Sequence, residues 1–255
     1  MNNYIIPNLV KACEIMSLLA DRPEGISAVE LEKLAQTPKT TMFRILKTLR
    51  SQEMAEKRGA LFFPGPALMR IGLRSLQASQ IRPLSIPFLS QLAKQTGFTS
   101  HLAILSGCQS LILEVHDSPN PVRVASRSGS IVPLHCSSTG KVFLAYRFEV
   151  ELEDYFSGQP LERYTDNTII TLFKMRTEIL QIKKDGYAVD NREFHRDVCC
   201  LAAPVRDNLG QVFAAIGVTG PAIHFTRQKQ TDVCVLVKKT AKELSAELGY
   251  IESSN

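Results

Sequence analysis

The sequence predicts an α+β protein in two parts joined by a helix, and three observations carry that expectation. The first is a change of hydrophobic period at Arg82-Pro83: helical spacing dominates before it, and alternating strand-like runs appear after it. The second is length, because 255 residues divide more readily into two cores than they fill one. The third is charge. Residues 1–82 hold twelve Lys/Arg against seven Asp/Glu, whereas residues 83–255 hold eighteen of each, so the whole formal charge of +5 falls in the first third. That asymmetry fits one part that meets a polyanion and one that does not, although a solvated face can be unbalanced by chance.

A hydrophobic fraction of 44% fits neither a disordered nor a membrane-embedded chain, and no apolar run approaches the ~20 residues that span a bilayer. The opening residues Met1–Pro7 lack the basic and apolar regions of a secretory signal, so cytoplasmic residence is expected. The six cysteines, Cys13, Cys108, Cys136, Cys199, Cys200 and Cys234, form no Cys-x-x-Cys pair and are expected to be reduced and mostly buried.

In the first part, Asn8 is a candidate cap for a helix with Leu9, Ala12, Cys13, Met16 and Leu19 on one face. The stretch Asp21-Arg22-Pro23-Glu24-Gly25 ends it. Ser27-Ala28-Val29-Glu30 is a capping-box pattern, which places Leu31, Leu34 and Ala35 on the buried side of a second helix. Thr37-Pro38 then reads as a cap followed by proline at the first helical position of a third helix. Two short helices, a tight connection and a third helix make a helix-turn-helix.

Met42, Ile45, Leu46 and Leu49 form the apolar stripe of that third helix, and Thr40, Arg44, Lys47 and Ser51 fall on the opposite face. Lys39 and Thr41 sit near its N-terminus, the end that usually touches base edges. Arg44 suits a bidentate contact to guanine, and threonine can bond a base or pack on a thymine methyl. Lys33, Lys47 and Arg50 suit phosphates. In isolation an ordinary amphipathic helix with a solvated polar face is the commoner explanation of such a face, but here it would also have to explain the capped helix before it and the hairpin after it. Met54–Phe63 places apolar residues around a basic, glycine-containing turn, which predicts a two-stranded wing with Lys57 and Arg58 at its tip. The first part, residues 5–66, is therefore predicted to be a winged helix-turn-helix that binds double-stranded DNA. A linker helix follows within 67–82, where Leu68, Met69, Gly72, Leu73 and Leu76 supply either a dimer contact or packing onto its own domain.

Residues 83–252 predict an antiparallel α/β domain. Its elements are a helix over Leu84–Thr96 ended by Gly97 and strands at His101–Leu105, Ser110–His116 and Val122–Arg127. A short helix from Ser138 to Tyr146, a helix over Ile170–Asp185 ended by Gly186, strands at Cys200–Arg206 and Val212–Val218, and a helix from Thr226 to Leu248 complete it.

Several runs carry a resemblance: Pro121–Ser130; Pro133–Ala145; Gly186–Asp190; Cys200–Val205; and Ala215–Pro221. In this order they resemble the IclR-type transcriptional regulators, and Pro38–Leu46 is similar to the recognition helix of that family. The resemblance implies a GAF-like effector-binding domain and homodimers able to pair into tetramers. It also implies control of catabolic genes by a small carboxylate such as a sugar acid or keto acid. Carried over by position, it implies a ligand cavity containing Ser138, Thr139, Gly140, Asp190, Cys200, Gly217 and Thr219. A helix beginning at Ser138–Gly140 offers unpaired N–H groups and a positive dipole end to a carboxylate. Asp190 would accept a bond from a ligand hydroxyl or bind as the protonated acid. Gly217 departs from the serine of better-known members, and its extra room implies a larger ligand. The plainer readings are helix capping by Ser137-Ser138, a turn role for Asp190 and a buried strand position for Cys200.

Three rival readings have less support. His135-Cys136 offers a nucleophile beside a base, but strand neighbours point to opposite faces. Ser137–Lys141 is similar to a phosphate loop, yet the upstream glycine is missing and Val142 replaces the required Ser/Thr. A metal- or redox-sensing regulator would need clustered ligands, whereas His101, His116, His135, His195 and His224 are scattered. No aromatic motif for RNA is present. No catalytic residue, cofactor, metal or membrane partner is expected.

Overall fold

The computed structural model describes residues 4–78, 80–148, 152–158 and 161–251. Position 79 and the side chain of Leu76 in the expected linker, and position 252 at the expected end of the second domain, lie outside the described residues. The chain divides into two compact units, Met1–Ser79 and Gln80–Asn255. Among the described residues no helix is long and apolar enough to cross a membrane.

The first unit is built from α1 (Pro7–Ala20), β1 (Ile26–Ser27), α2 (Ala28–Leu34), α3 (Lys39–Ser51), β2 (Ala55–Arg58), β3 (Leu61–Pro64) and α4 (Pro66–Ala78). Helix α1 starts one residue before the expected cap. Pro7 takes the first turn, where its missing N–H costs nothing, and Asn8 lies inside the helix. Its buried face is also rotated from expectation: Ile15 and Leu19 are fully buried, while Leu9 and Cys13 are exposed. The capping box of α2 is present, with Ser27 Oγ accepting the Glu30 N–H and Glu30 accepting the Ser27 N–H. Leu31 and Ala35 are buried as expected, but Leu34 is exposed. Thr37 does not cap α3. Its hydroxyl donates to the Ala35 carbonyl at 2.9 Å, closing the turn around Gln36 (φ +45°), and Pro38 takes the cap position. Met42, Ile45, Leu46 and Leu49 are buried, as their spacing requires. Strands β2 and β3 pair antiparallel across Gly59 (φ +60°), a conformation glycine adopts without steric cost. The two-residue strand β1 pairs with β3 through Ile26 and Phe62, giving the sheet order β1-β3-β2.

The second unit holds a six-stranded antiparallel sheet of order β6-β5-β4-β9-β8-β7. Its strands are β4 (Thr99–Ser106), β5 (Gln109–His116), β6 (Ile131–Pro133), β7 (Ala188–Asn191), β8 (Val198–Arg206) and β9 (Val212–Pro221). Its helices are α5 (Ile81–Thr96), α6 (Ser138–Arg147), α7 (Leu152–Ser157), α8 (Leu172–Asp185) and α9 (Arg227–Glu247), with one 3-10 turn at Ala222–His224. Ala103, Ala188, Ala202 and Ala215 share a core with α6 and α8. Helices α5 and α9 pack on the other face, because successive strand residues alternate sides. Helix α5 begins at Ile81, earlier than expected, since Pro83 in a first turn needs no N–H donor. Left-handed Gly97 and Gly186 end α5 and α8.

The expected strand at Val122–Arg127 is absent. These residues run without a ladder partner, and the edge of the sheet is completed by β6, which pairs Gln109 with Pro133. The alternation in the sequence is real, but it belongs to a segment that roofs a cavity.

Candidate functional site

Two sites emerge, one in each unit. In the first, Lys39, Thr40, Arg44 and Lys47 are exposed along α3 and Thr41 is half-buried. Lys47, Arg50 and Lys57 line one open groove between α3 and β2, with Glu53 and Glu56 among its walls. Thr41 and Arg44 lie on the opposite flank of α3, beside Asn8 and Leu9 of α1. Arg58 is engaged before any ligand arrives: its guanidinium meets Glu56 at 2.8 and 3.1 Å and covers the Phe63 ring at 4.8 Å. An exposed pair of this kind is weak and easily exchanged for a phosphate.

In the second unit a cavity of about 380 Å³ opens on the α6 face of the sheet. Of the sequence-predicted ligand residues, Ser138, Thr139, Asp190, Cys200 and Thr219 line it. The sheet brings the last three together, since Cys200 is the register partner of both Asp190 and Thr219. Ser137 caps α6, accepting the Gly140 N–H at 3.1 Å and donating to the Pro133 carbonyl at 2.6 Å. The Lys141 N–H goes to the Ser137 carbonyl. Ser138 and Thr139 line the cavity from the first turn of α6, where N–H groups have no intrahelical acceptor and the helix end is positive. Ser137 both caps α6 and lines the cavity, next to Ser138.

Gly140 and Gly217 do not line the cavity. A Cβ on Gly140 would sit 2.6 Å from the Leu134 carbonyl, so glycine lets α6 lie against that backbone. A Cβ on Gly217 would collide with the Leu201 carbonyl and lie 2.9 Å from the Ala202 Cβ. The larger ligand inferred from extra room at Gly217 is thus withdrawn, because that space is filled by the neighbouring strand.

Asp190 is buried, and its Oδ1 accepts the N–H groups of Glu193 (2.7 Å) and Phe194 (3.4 Å), a turn role held together with cavity lining. Burial pushes its pKa up to about 6 against these bonds and the nearby Lys141. Glu193 is pushed up to about 7, chiefly by burial and opposed by Lys141. Lys141 is fully buried and bonds both Glu178 and Glu193 at 2.7 Å. Burial works against its ammonium, but the two carboxylates outweigh that effect and hold its pKa above the ordinary lysine value. A lysine so engaged is not free for a phosphate. The Cys200 thiol donates to Thr219 Oγ1 at 3.1 Å, and burial raises its pKa strongly, so it remains a neutral donor.

Sequence reasoning missed His101, Arg127 and His195, all of which line the cavity. His101 is buried, its Nδ1 has no partner, and burial lowers its pKa to about 4. It is a neutral imidazole with a free polar atom beside the cavity. Its strand was legible, but its neighbours across the sheet were not, so nothing marked it out from the other histidines. At the rival site, burial raises the Cys136 pKa and His135 bonds the Glu162 carbonyl at 3.0 Å, leaving a protonated thiol with little nucleophilic character. The expectation of mostly buried thiols fails at Cys13 and Cys108, which are exposed.

Comparison with known proteins agrees with this arrangement. The model of the IclR C-terminal domain of bacterial transcriptional regulators matches residues 73–246, and that of the IclR helix-turn-helix domain matches residues 8–59. The chain is 30% identical to the HTH-type transcriptional regulator BhcR of Paracoccus denitrificans, over 93% of this chain and 85% of that one. It is 27% identical to the transcriptional repressor IclR of Escherichia coli, over 96% and 90% of the two chains. The crystal structure of Thermotoga maritima IclR superposes with a TM-score of 0.71 at 29% identity, covering 95% of this chain and 98% of that one.

Two outcomes are expected. Gly217→Ser should destabilise the second unit by about 1–3 kcal/mol, as overpacking does, read as a lower denaturation midpoint. Asp190 binds its proton more tightly folded than unfolded, so its contribution favours folding most at low pH and is lost as pH rises through about 6. Asp190→Asn should therefore be relatively more stable than the wild type at pH 8 than at pH 5, by about 1–3 kcal/mol, in paired melts. A difference that does not change with pH would contradict the raised pKa. By the order of its two domains, the shape of its sheet and the match along nearly its whole length, this chain belongs to the IclR family of transcriptional regulators.

Proposed function

We propose that the protein is a cytoplasmic homodimeric regulator, able to pair into tetramers, that represses catabolic genes until a small carboxylate with an apolar body enters the second unit. The observation that carries the reading is the cavity itself. The first turn of α6 and a neutral, unpartnered histidine border a space that joins an apolar side, Ile112, Val124, Ile131, Val132 and Phe194, to a polar one that includes Arg127, Asp190 and Thr219. Such a two-sided lining suits a keto or hydroxy acid whose polar groups meet one side and whose hydrocarbon or ring portion meets the other; a sugar acid would set some of its hydroxyls against the apolar side, where they lose water without partners. In this reading Ser138 and Thr139 hold the carboxylate, while Gly140 and Gly217 support the site by letting backbones approach. Asp190, Cys200 and Thr219 set the polar end of the effector. Arg127 offers the positive charge that Asp190 lacks.

Residues 5–66 form the DNA-binding domain, 67–82 the linker helix and 83–252 the effector-binding domain. Within α4, Met69 and Leu73 stand one helical turn apart and are both exposed, which favours a dimer contact over packing onto the same domain. Each dimer places two α3 helices in successive major grooves of an operator. Lys39, Thr40, Thr41 and Arg44 read bases, while Lys47, Lys57 and Arg58 hold phosphates. The effector acts because it binds one spacing of these helices better than another.

Arg44→Ala should weaken operator binding by about 1–3 kcal/mol and relax base choice, whereas Lys57→Ala should weaken all duplexes alike and flatten the salt dependence. Titrations of both variants against selected and scrambled duplexes check this, and an unchanged affinity for Arg44→Ala would remove α3 from base reading. For the effector, a thermal-shift series of keto, hydroxy and sugar acids should raise the wild-type melting point for acids with apolar bodies, and should do so less in His101→Ala. A response confined to sugar acids would overturn the cavity assignment.

A further inference from the structure

One residue of α3 is at odds with the rest of the helix. Met42, Ile45, Leu46 and Leu49 are all buried, whereas Phe43 is 68% exposed. At 100° per residue it stands on the outward half of α3, one turn from Thr40 at i−3 and Lys47 at i+4. Helix α3 carries no acidic residue and four basic ones, so the phenyl ring lies on a face whose net charge suits a polyanion. In the major groove of B-DNA the apolar recognition feature is the thymine C5-methyl group, against which phenylalanine packs. We infer that Phe43 is a specificity-determining residue whose ring covers the methyl group of an operator thymine, within about two base pairs of the guanine read by Arg44. The spacing follows from the ~3.8 Å between the Cα atoms of consecutive residues, whose side chains diverge by ~100° around the helix, and the ~3.4 Å rise of successive bases. The inference rests on the DNA-reading role proposed for α3, and adds a base identity that none of its polar residues specifies.

The test separates the two. Duplexes are selected from a random pool with wild-type protein. Each thymine of the recovered site is then replaced by deoxyuridine, which keeps every hydrogen-bonding edge and removes only the methyl group. One thymine in each half-site should cost the wild type about fourfold in affinity when replaced, the equivalent of one buried methyl. Phe43→Ala should lose a similar factor on thymine DNA and be indifferent to uridine at that position. Phe43→Leu should retain part of the methyl dependence. Because the side chain is exposed, melting points of both variants should match the wild type. A uridine penalty that persists in Phe43→Ala, or a selected site with no methyl-sensitive thymine, overturns this inference alone. Failure of the wild type to enrich any sequence overturns it together with the assignment of α3. A change in the DNA-free oligomeric state of Phe43→Ala, with methyl dependence intact, assigns the ring to a protein contact and overturns it as well.

Discussion

The cavity of the second unit depends on a single buried cation. Lys141 projects from α6 into the protein and ties that helix to Glu178 of α8 and to Glu193 in the connection between β7 and β8. The same connection is held from the other side by Asp190, which accepts the N–H groups of Glu193 and Phe194. One clamp therefore sets two walls at once: the first turn of α6 with its N–H groups, and the end of β7 with its carboxyl. A buried ion pair of this kind contributes little net stability, since desolvating the charges offsets most of their attraction. Removing one partner is another matter and typically costs about 3–5 kcal/mol, because the remaining charges are stranded. The clamp fixes position more than it adds strength, which is what a binding site requires of its supports.

Much of this was legible in the sequence, and the reasons differ from residue to residue. Helix α3 was readable because its buried stripe and its cations follow one period on opposite faces. The capping box at Ser27 was readable because both halves of a reciprocal bond lie within four residues. Where reading failed, the deciding partner was distant in sequence, except at Thr37, where a competing local bond decided it. Thr37 has the chemistry of a cap, but the strained turn at Gln36 claims its hydroxyl for the Ala35 carbonyl. Gly217 looked like vacant space because a sequence does not reveal the Leu201 carbonyl packed against it. His101 passed unnoticed for the same reason. Lys141 was visible only as part of a doubtful phosphate loop, since its two carboxylates lie thirty-seven and fifty-two positions away.

The failed strand at Val122–Arg127 is instructive for function. A segment with alternating apolar residues ordinarily finds a ladder, and its backbone groups are then consumed by a neighbour. Here the segment is fixed by side chains instead. Thr99 donates to the Val124 carbonyl, and Ser118 and Asn120 both donate to the Gly97 carbonyl. Val124, Ala125, Ser126 and Arg127 consequently line the cavity outside any ladder, with the Val124 carbonyl taken by Thr99 and the Arg127 carbonyl by the Ser130 N–H. A ligand beneath this roof competes with no sheet hydrogen bond. The sheet below, with every strand paired, offers no such latitude.

That contrast bears on how an effector can act at a distance. A ligand shifts an equilibrium only by the difference in its affinity for two states, so contacts with a part that has one arrangement do not contribute, however strong they are. Asp190, Cys200 and Thr219 sit on paired strands, so on the proposed reading their part would be affinity and chemical selection. The roof, the first turn of α6 and the connection that carries Phe194 and His195 are cavity walls outside that ladder, and Lys141 ties the last two to each other and to α8. On the proposed reading, recognition and response would then draw on different walls of one cavity: a substitution in the ladder should change which ligand binds, and one in the roof or the clamp should change what binding accomplishes.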